Sequence, residues 1–250
     1  MPKNSTLTKT ISINENAVIK WGNALVSGRW NTTLIEFRLL IALTSQIDKG
    51  LNDFECYEAS VTSLGKMMRL DSNSYRDIKK IADSLSNKSV KFLWKPTPNS
   101  KNSWIKTPWF SLIAYNDATS TLLWKFNPDL IPMLLNLRKA YVRSDALPMM
   151  NFRSSYAGRW YLLAKQWKKL GAVIMTIDDL KQSFDLEGKY KYFKDFFRDV
   201  VVVPIKEVNA QSDLILTVNP IKTGRRYTHL KFVVKSGADS EPESDTQVII

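Results

Sequence analysis

The stretch TIDDLKQSFDLEGKYKYFKDFFRDVVVVPIKEVNAQSDLILTVNPIKTGRRYTHLKFVV, residues 176–234, decides the fold. Its spacing predicts a short helix over 178–184 that starts on acids, a turn over 185–188, and a long aromatic and basic helix from Lys189 to about Asn209. A hairpin follows, with Lys222, Thr223, Gly224, Arg225 and Arg226 in its turn. The order is therefore helix, turn, helix, two-stranded wing. At 3.6 residues per turn, Phe193, Phe196, Phe197, Val200 and Val201 share one face of the long helix, and Lys191, Lys194, Asp195 and Arg198 the other. One face is built to be buried and the other to meet an anion. Pro204 removes one backbone hydrogen bond and predicts a kink, because Ile205 and Val208 keep helical spacing beyond it. Cations on a helix beside a basic hairpin tip suit a DNA duplex, whose major groove admits the helix while the hairpin grips phosphates.

Working outward, the strand predicted over 172–176 and a helix capped by Ser154 or Ser155 precede this unit. The inward stripe of that helix is Trp160, Leu163, Ala164 and Trp167, and Gly171 stops it. The first half repeats the order. A short helix over 18–25 is followed by a longer one that Thr32 or Thr33 can cap, with Glu36 completing a capping box and Leu34, Phe37, Leu40, Ile41, Thr44 and Ile47 inward. An extended piece over 55–59, a helix over 62–68 and a helix from Tyr75 to about Leu85 form the first helix-turn-helix, with Arg76, Lys79, Lys80 and Asp83 outward. Strands over 90–94, 104–114 and 121–126 make its wing, interrupted by a loop over 96–102. A short apolar helix starts at Pro128 and ends near Leu137. Leu64 and Leu180 stand 116 positions apart, and Tyr75 and Tyr190 stand 115 apart. Matched order and matched spacing predict an α+β chain of two tandem winged-helix domains. The domains are drawn as 18–138 for DNA backbone contacts and dimerisation and 139–235 for major-groove reading. A flexible segment over 1–17 and an acidic flexible tail over 236–250 flank them.

The totals agree. Lys and Arg number 36 against 24 Asp and Glu, a net charge of +12, and the apolar fraction of 44% fills ordinary cores. The tail contributes Asp239, Glu241, Glu243 and Asp245 and no cation, so the remainder holds 36 cations against 20 acids, or +16. A body this positive points to a polyanion such as nucleic acid. The lone Cys56 leaves no internal disulfide, and neither a secretory pattern nor a run of about 18 apolar residues occurs, so a soluble cytoplasmic protein is expected.

Enzymatic constellations lack their parts. His229 is the sole histidine, so metal sites built on histidine pairs and histidine-based nickase centres have nothing to stand on. Gly65-Lys66 and Gly188-Lys189 lack the rest of a phosphate loop, and Asp178-Asp179 read as helix-start acids rather than metal ligands. No cofactor is expected. Trp21, Trp30, Trp104, Trp109 and Trp124 read as core or domain-packing residues rather than base-stacking platforms. The candidate DNA-binding set is Lys189, Lys191, Tyr192, Lys194, Arg198, Lys222, Arg225 and Arg226, with Arg76, Lys79 and Lys80 in the first domain.

Three further runs carry a resemblance: 154–161 (SSYAGRWY), 190–209 ending Glu207-Val208-Asn209, and 224–232 (GRRYTHLKF). With Asn23-Ala24-Leu25, Pro108-Trp109-Phe110 and 127–132 (NPDLIP), they resemble the replication initiator proteins of iteron-containing bacterial plasmids over about residues 20–235. The resemblance implies binding to directly repeated origin sites in double-stranded DNA, melting of the adjacent duplex, and action with host initiator, replicative helicase and chaperones. It implies a dimer formed through the first domain that represses its own promoter. It places Arg198 on a base-contacting arginine and Arg225 and Arg226 on a basic wing. Tyr192, Phe197 and Asp199 stand where well-known members carry arginines, so the site sequence cannot be borrowed. A winged-helix repressor without a replication role, and a tyrosine-using nickase or recombinase, are the competing readings.

Overall fold

The computed structural model describes residues 8–48, 50–93, 103–135, 137 and 140–237. The first half runs β1 (Thr8–Thr10), β2 (Val18–Gly22), α1 (Asn23–Val26), α2 (Leu34–Ser45), β3 (Cys56–Ser60), α3 (Val61–Met67), a 3-10 turn (Ser72–Asp77) and α4 (Ile78–Ser86). It continues through β4 (Ser89–Leu93), β5 (Trp104–Pro108), β6 (Phe110–Asn116), β7 (Thr121–Phe126), α5 (Ile131–Leu134) and β8 (Tyr141–Asp145). The second half holds α6 (Ser155–Trp167), β9 (Ala172–Thr176), α7 (Ile177–Ser183), α8 (Phe193–Phe196), α9 (Val203–Gln211), β10 (Leu214–Thr223) and β11 (Arg226–Ser236). Helix, turn, helix and hairpin thus occur twice, in an α+β chain.

Local chemistry explains the starts. Thr33 Oγ1 accepts from the Glu36 N–H at 3.3 Å and the Thr33 N–H donates to Glu36 Oε2 at 2.7 Å, the capping box expected for α2. Ser60, Thr176 and Ser154 cap α3, α7 and α6 in the same way, each through a side-chain oxygen. The first wing packs β3 and β6 on either side of β7, with β1 parallel to β3 at the edge, in the order β1-β3-β7-β6. The second sheet is β10-β11-β9, with β10 and β11 forming the wing.

Four expectations change. Residues 8–10, assigned to a flexible segment, form β1, and Lys9 holds it to Glu55 at 3.1 Å. Residues 18–22, expected as helix, form a strand with Ile19 and Trp21 buried, and its partner is β8. A five-residue apolar alternation fits strand period better than helix period once a partner exists. Because β8 follows residue 139, the segment beyond the expected boundary begins by pairing with the first half. Residues 104–114, expected as one strand, divide at the buried Trp109, so β5 pairs with β4 in a separate ribbon and β6 pairs with β7. The long helix begins at Phe193 rather than Lys189: Tyr190 takes a left-handed φ of 58° and Tyr192 is extended. The boundary residue 139, the loop over 96–102 and the tail beyond Gly237 lie outside the described residues.

The kink expected at Pro204 takes the form of a π-helical turn (Phe197–Val202) between α8 and α9. An N–H at position 204 would bond the Val200 carbonyl, and proline has none. Trp160 Nε1 donates to that carbonyl at 2.6 Å instead. Trp160 belongs to α6, whose residues 157–164 are all buried, as a helix clasped on every side requires. α6 packs on α1, α2 and β8 on one side and on α9 and β10 on the other, so it joins the two cores.

Candidate nucleic-acid interface

The second unit builds its cationic face from three pieces. The first is the turn before the long helix, where Gly188 and Tyr190 both take positive φ. Glycine meets that demand without strain, whereas Tyr190 is held there by Lys181 Nζ, which donates to its carbonyl at 3.0 Å, and by an edge contact with Phe196. Lys189, Lys191 and Tyr192 are exposed on this turn, and Lys191 lies over the Tyr192 ring at 5.7 Å. They precede the helix instead of riding on it.

The second piece is the helix. Phe196, Val200 and Val201 are buried and Lys194 and Arg198 exposed, as the wheel predicts. Phe193 and Phe197 are only half-buried, because they turn toward the wing. Phe193 stacks on Tyr227 of β11 with ring centroids 4.3 Å apart and on Phe197 at 5.2 Å. This ladder ties the first turn of the helix to the wing. Tyr227 was not singled out from sequence; the (i, i+4) aromatic pair Phe193/Phe197 was the available signal.

The third piece is the wing tip. Lys222, Arg225 and Arg226 are exposed around Gly224 at φ 62°, a left-handed turn position. Lys222 Nζ lies over the Tyr227 ring at 4.7 Å, and Thr223 and Thr228 hydroxyls bond across the strands at 2.8 Å. Among the described residues, none of Lys189, Lys191, Lys194, Lys222, Arg225 and Arg226 is in an ion pair.

Arg198 differs. Its Nε and Nη2 donate to Asp199 Oδ1 and Oδ2 at 2.6 and 2.9 Å, and Nη2 lies 3.6 Å from Asp195 Oδ1. The hydrogen-bonded pairing raises the arginine's pKa and lowers that of Asp199. In the first unit, Lys79 reaches Asp117 at 3.7 Å and lies over Tyr115, Lys80 reaches Asp77 at 3.6 Å, and Arg76 Nε donates to the Asn73 carbonyl. No ion pair or ring contact among the described residues joins these three to the second cluster.

Sequence reasoning missed the joint between the halves. Arg159, 3% exposed, donates to the carbonyls of Trp30 (2.7 Å), Gly28 (2.9 Å) and Ser183 (3.2 Å) and stacks on Trp30 and Phe184. Burial drives its pKa down to about 9. Arg29 adds a bond to Asp185 at 2.7 Å and a contact with Glu187. The loop over 28–30 thereby holds the turn of the second helix-turn-helix. Trp104, expected as a core or domain-packing residue, is 52% exposed with Lys91 over its ring, whereas Trp21, Trp30, Trp109 and Trp124 are buried.

Among the described residues no helix is long and apolar enough to cross a membrane, and no group of three His, Cys, Asp or Glu could hold a metal ion. A family model described as Initiator Replication protein, WH1, matches residues 18–165, and one described as Initiator Rep protein, WH2, matches residues 176–234. The fold is similar to that of the Pi initiator protein crystallised in complex with iteron DNA, with a TM-score of 0.68 and 18% identity over 91% of this chain and 100% of that one. Domains 2 and 3 of RctB match at a TM-score of 0.47 and 12% identity, over 82% of this chain and 83% of that chain. With WH1 and WH2 matched in tandem along most of its length, the chain belongs to the initiator replication protein family.

Proposed function

We propose that this protein is a non-enzymatic, sequence-specific initiator that binds directly repeated double-stranded sites at a plasmid origin. The second winged helix reads bases in the major groove through Arg198 and its neighbours, while the first, through Arg76, Lys79 and Lys80, contacts the backbone. The observation that carries this reading is the cluster of exposed cations on turn, helix and wing, with helix and wing tied together by the Phe193–Tyr227 stack. The exposed Lys194 and Arg198 of the helix stand on one frame with the wing cations, as a groove and its flanking phosphates require. Family membership supports the rest: origin opening with host initiator, replicative helicase and chaperones, and a dimer through the first domain that represses the protein's own promoter. Soluble, cytoplasmic action on plasmid DNA belongs to the same reading.

A footprint of the purified protein on DNA flanking its own gene tests this. Protection of several direct repeats, one chain per repeat, is expected. Protection of a single inverted repeat over the promoter alone would make the protein a dimeric repressor and overturn the origin-binding reading.

A further inference from the structure

Asp199 spends itself on Arg198 in a particular way. The carboxylate takes the side edge of the guanidinium, Nε and Nη2, in two bonds of 2.6 and 2.9 Å. Side-chain exposures of 56% for Arg198, 43% for Asp195 and 41% for Asp199 place this contact at the surface. Surface pairs add little to stability, so the consequence lies in direction and charge.

A guanidinium has two edges that can bond a planar acceptor pair: the side edge, and the end edge made by Nη1 and Nη2. With the side edge taken, Nη1 and the second N–H of Nη2 make up the remaining end edge, with Asp195 Oδ1 3.6 Å from Nη2, and that edge matches O6 and N7 of guanine. A free arginine side chain carries much rotamer entropy, and a guanidinium already held loses less of it on docking. Charge acts in the same direction. Arg198 with Asp195 and Asp199 sums to one cation against two anions, so this part of the helix offers phosphates no net attraction. Lys194 and the wing lysine and arginines supply that attraction from either side. An arginine buttressed and locally neutralised in this manner is suited to a base and not to the backbone.

We propose that Asp199 is a positioning residue for sequence specificity: it holds Arg198 end-on toward a guanine and, with Asp195, keeps that stretch of helix off phosphates. The inference rests on the major-groove reading proposed above.

The test uses the full chain as D199N, D199E and R198A. Each is titrated on a duplex bearing one footprinted repeat, on its single base-pair variants, and on an unrelated duplex, at several salt concentrations. Asp199 is on the surface, so D199N is expected to melt as the parent does. D199N should bind the unrelated duplex several-fold more tightly, with a salt slope steeper by about one. Its preference for guanine at one position should fall about tenfold, with D199E recovering part of it. R198A should lose preference at that same position. If D199N keeps the full preference at every position while R198A loses it, the positioning role is wrong and base reading by Arg198 stands. If R198A itself changes no preference, the base-reading proposal fails and this inference fails with it.

Discussion

Ser60 and Thr176 cap corresponding helices 116 positions apart, 176 less 60, and the resemblance of the two helix-turn-helix units extends well past those caps. Arg69 and Asp185, also 116 apart, both leave their helices at left-handed φ, 54° and 56°. Leu70 N–H then bonds the Gly65 carbonyl at 3.0 Å, and Leu186 N–H the Lys181 carbonyl at 2.8 Å, the same helix-ending turn twice. Beyond that turn the two units diverge. In the first unit α4 has nine residues, and its outward lysines are engaged by Asp77 and Asp117. In the second the helix continues over 193–211 through a π-turn; Arg198 is paired with Asp199, while among the described residues Lys194 and the wing cations are in no ion pair. One backbone plan therefore yields a helix whose outward lysines face acids and another whose arginine is paired with its own helix's acids while the lysine beside it and the wing cations stay exposed.

The largest effect expected from this difference is on folding. The second helix depends on Trp160 to satisfy the carbonyl that Pro204 leaves open, and α4 needs no such support. Trp160→Phe should destabilise the protein by about 2–4 kcal/mol, from lost packing plus an unsatisfied buried carbonyl, as read by denaturant unfolding. A smaller contrast concerns the matched positions Gly65 and Lys181. A Cβ at Gly65 would come within 2.3 Å of the Tyr75 ring, so Gly65→Ala should cost about 1–3 kcal/mol. Lys181→Ala should cost less than about 1 kcal/mol. Equal costs would show that the two turns are packed alike.

Binding should separate the units next. Lys194→Ala is expected to lower the salt slope of DNA binding by about one, whereas Lys79→Ala, whose ammonium already faces Asp117, should lower it by less. The remaining effect is an acid one confined to the first unit. Burial acts to raise the pKa of Glu36, but the Ser84 hydroxyl at 2.5 Å, the Thr33 N–H and Lys88 outweigh it and hold the carboxyl below its usual 4.5. A depressed carboxylate stabilises the fold fully above pH 4.5 and loses that contribution as pH falls through the lower folded value. Glu36→Gln should therefore cost about 1–2 kcal/mol at neutral pH, with the gap to the parent closing below about pH 4 in pH-dependent melts.

Part of the fold was legible in the sequence because caps and turns are local: Thr33/Glu36, Ser154 and Gly224 each declare their geometry within a few residues. β2 was not, since a five-residue apolar alternation takes its strand identity from β8, more than a hundred residues away. β1 failed to show for the same reason, as an exposed edge strand defined by the pairing of Thr8 to Cys56. Arg159 hid because an arginine among apolar helix residues reads as solvated until the three carbonyls that receive it are in place. The exposure of the candidate cations was legible from the helical wheel and the hairpin turn. Their tether was not, because the Phe193–Tyr227 stack joins residues 34 positions apart, 227 less 193, through tertiary structure alone.

The division of labour between the two units is most directly tested by a base-substitution scan of one repeat, comparing the parent chain with R198A and with the K79A/K80A double variant. R198A should flatten the preference at one position, costing about 1–3 kcal/mol at the cognate base. K79A/K80A should weaken every sequence alike and leave the pattern of preferences intact. The opposite outcome, with K79A/K80A altering which bases are preferred and R198A weakening all sites evenly, would contradict the assignment of reading to the second winged helix and gripping to the first.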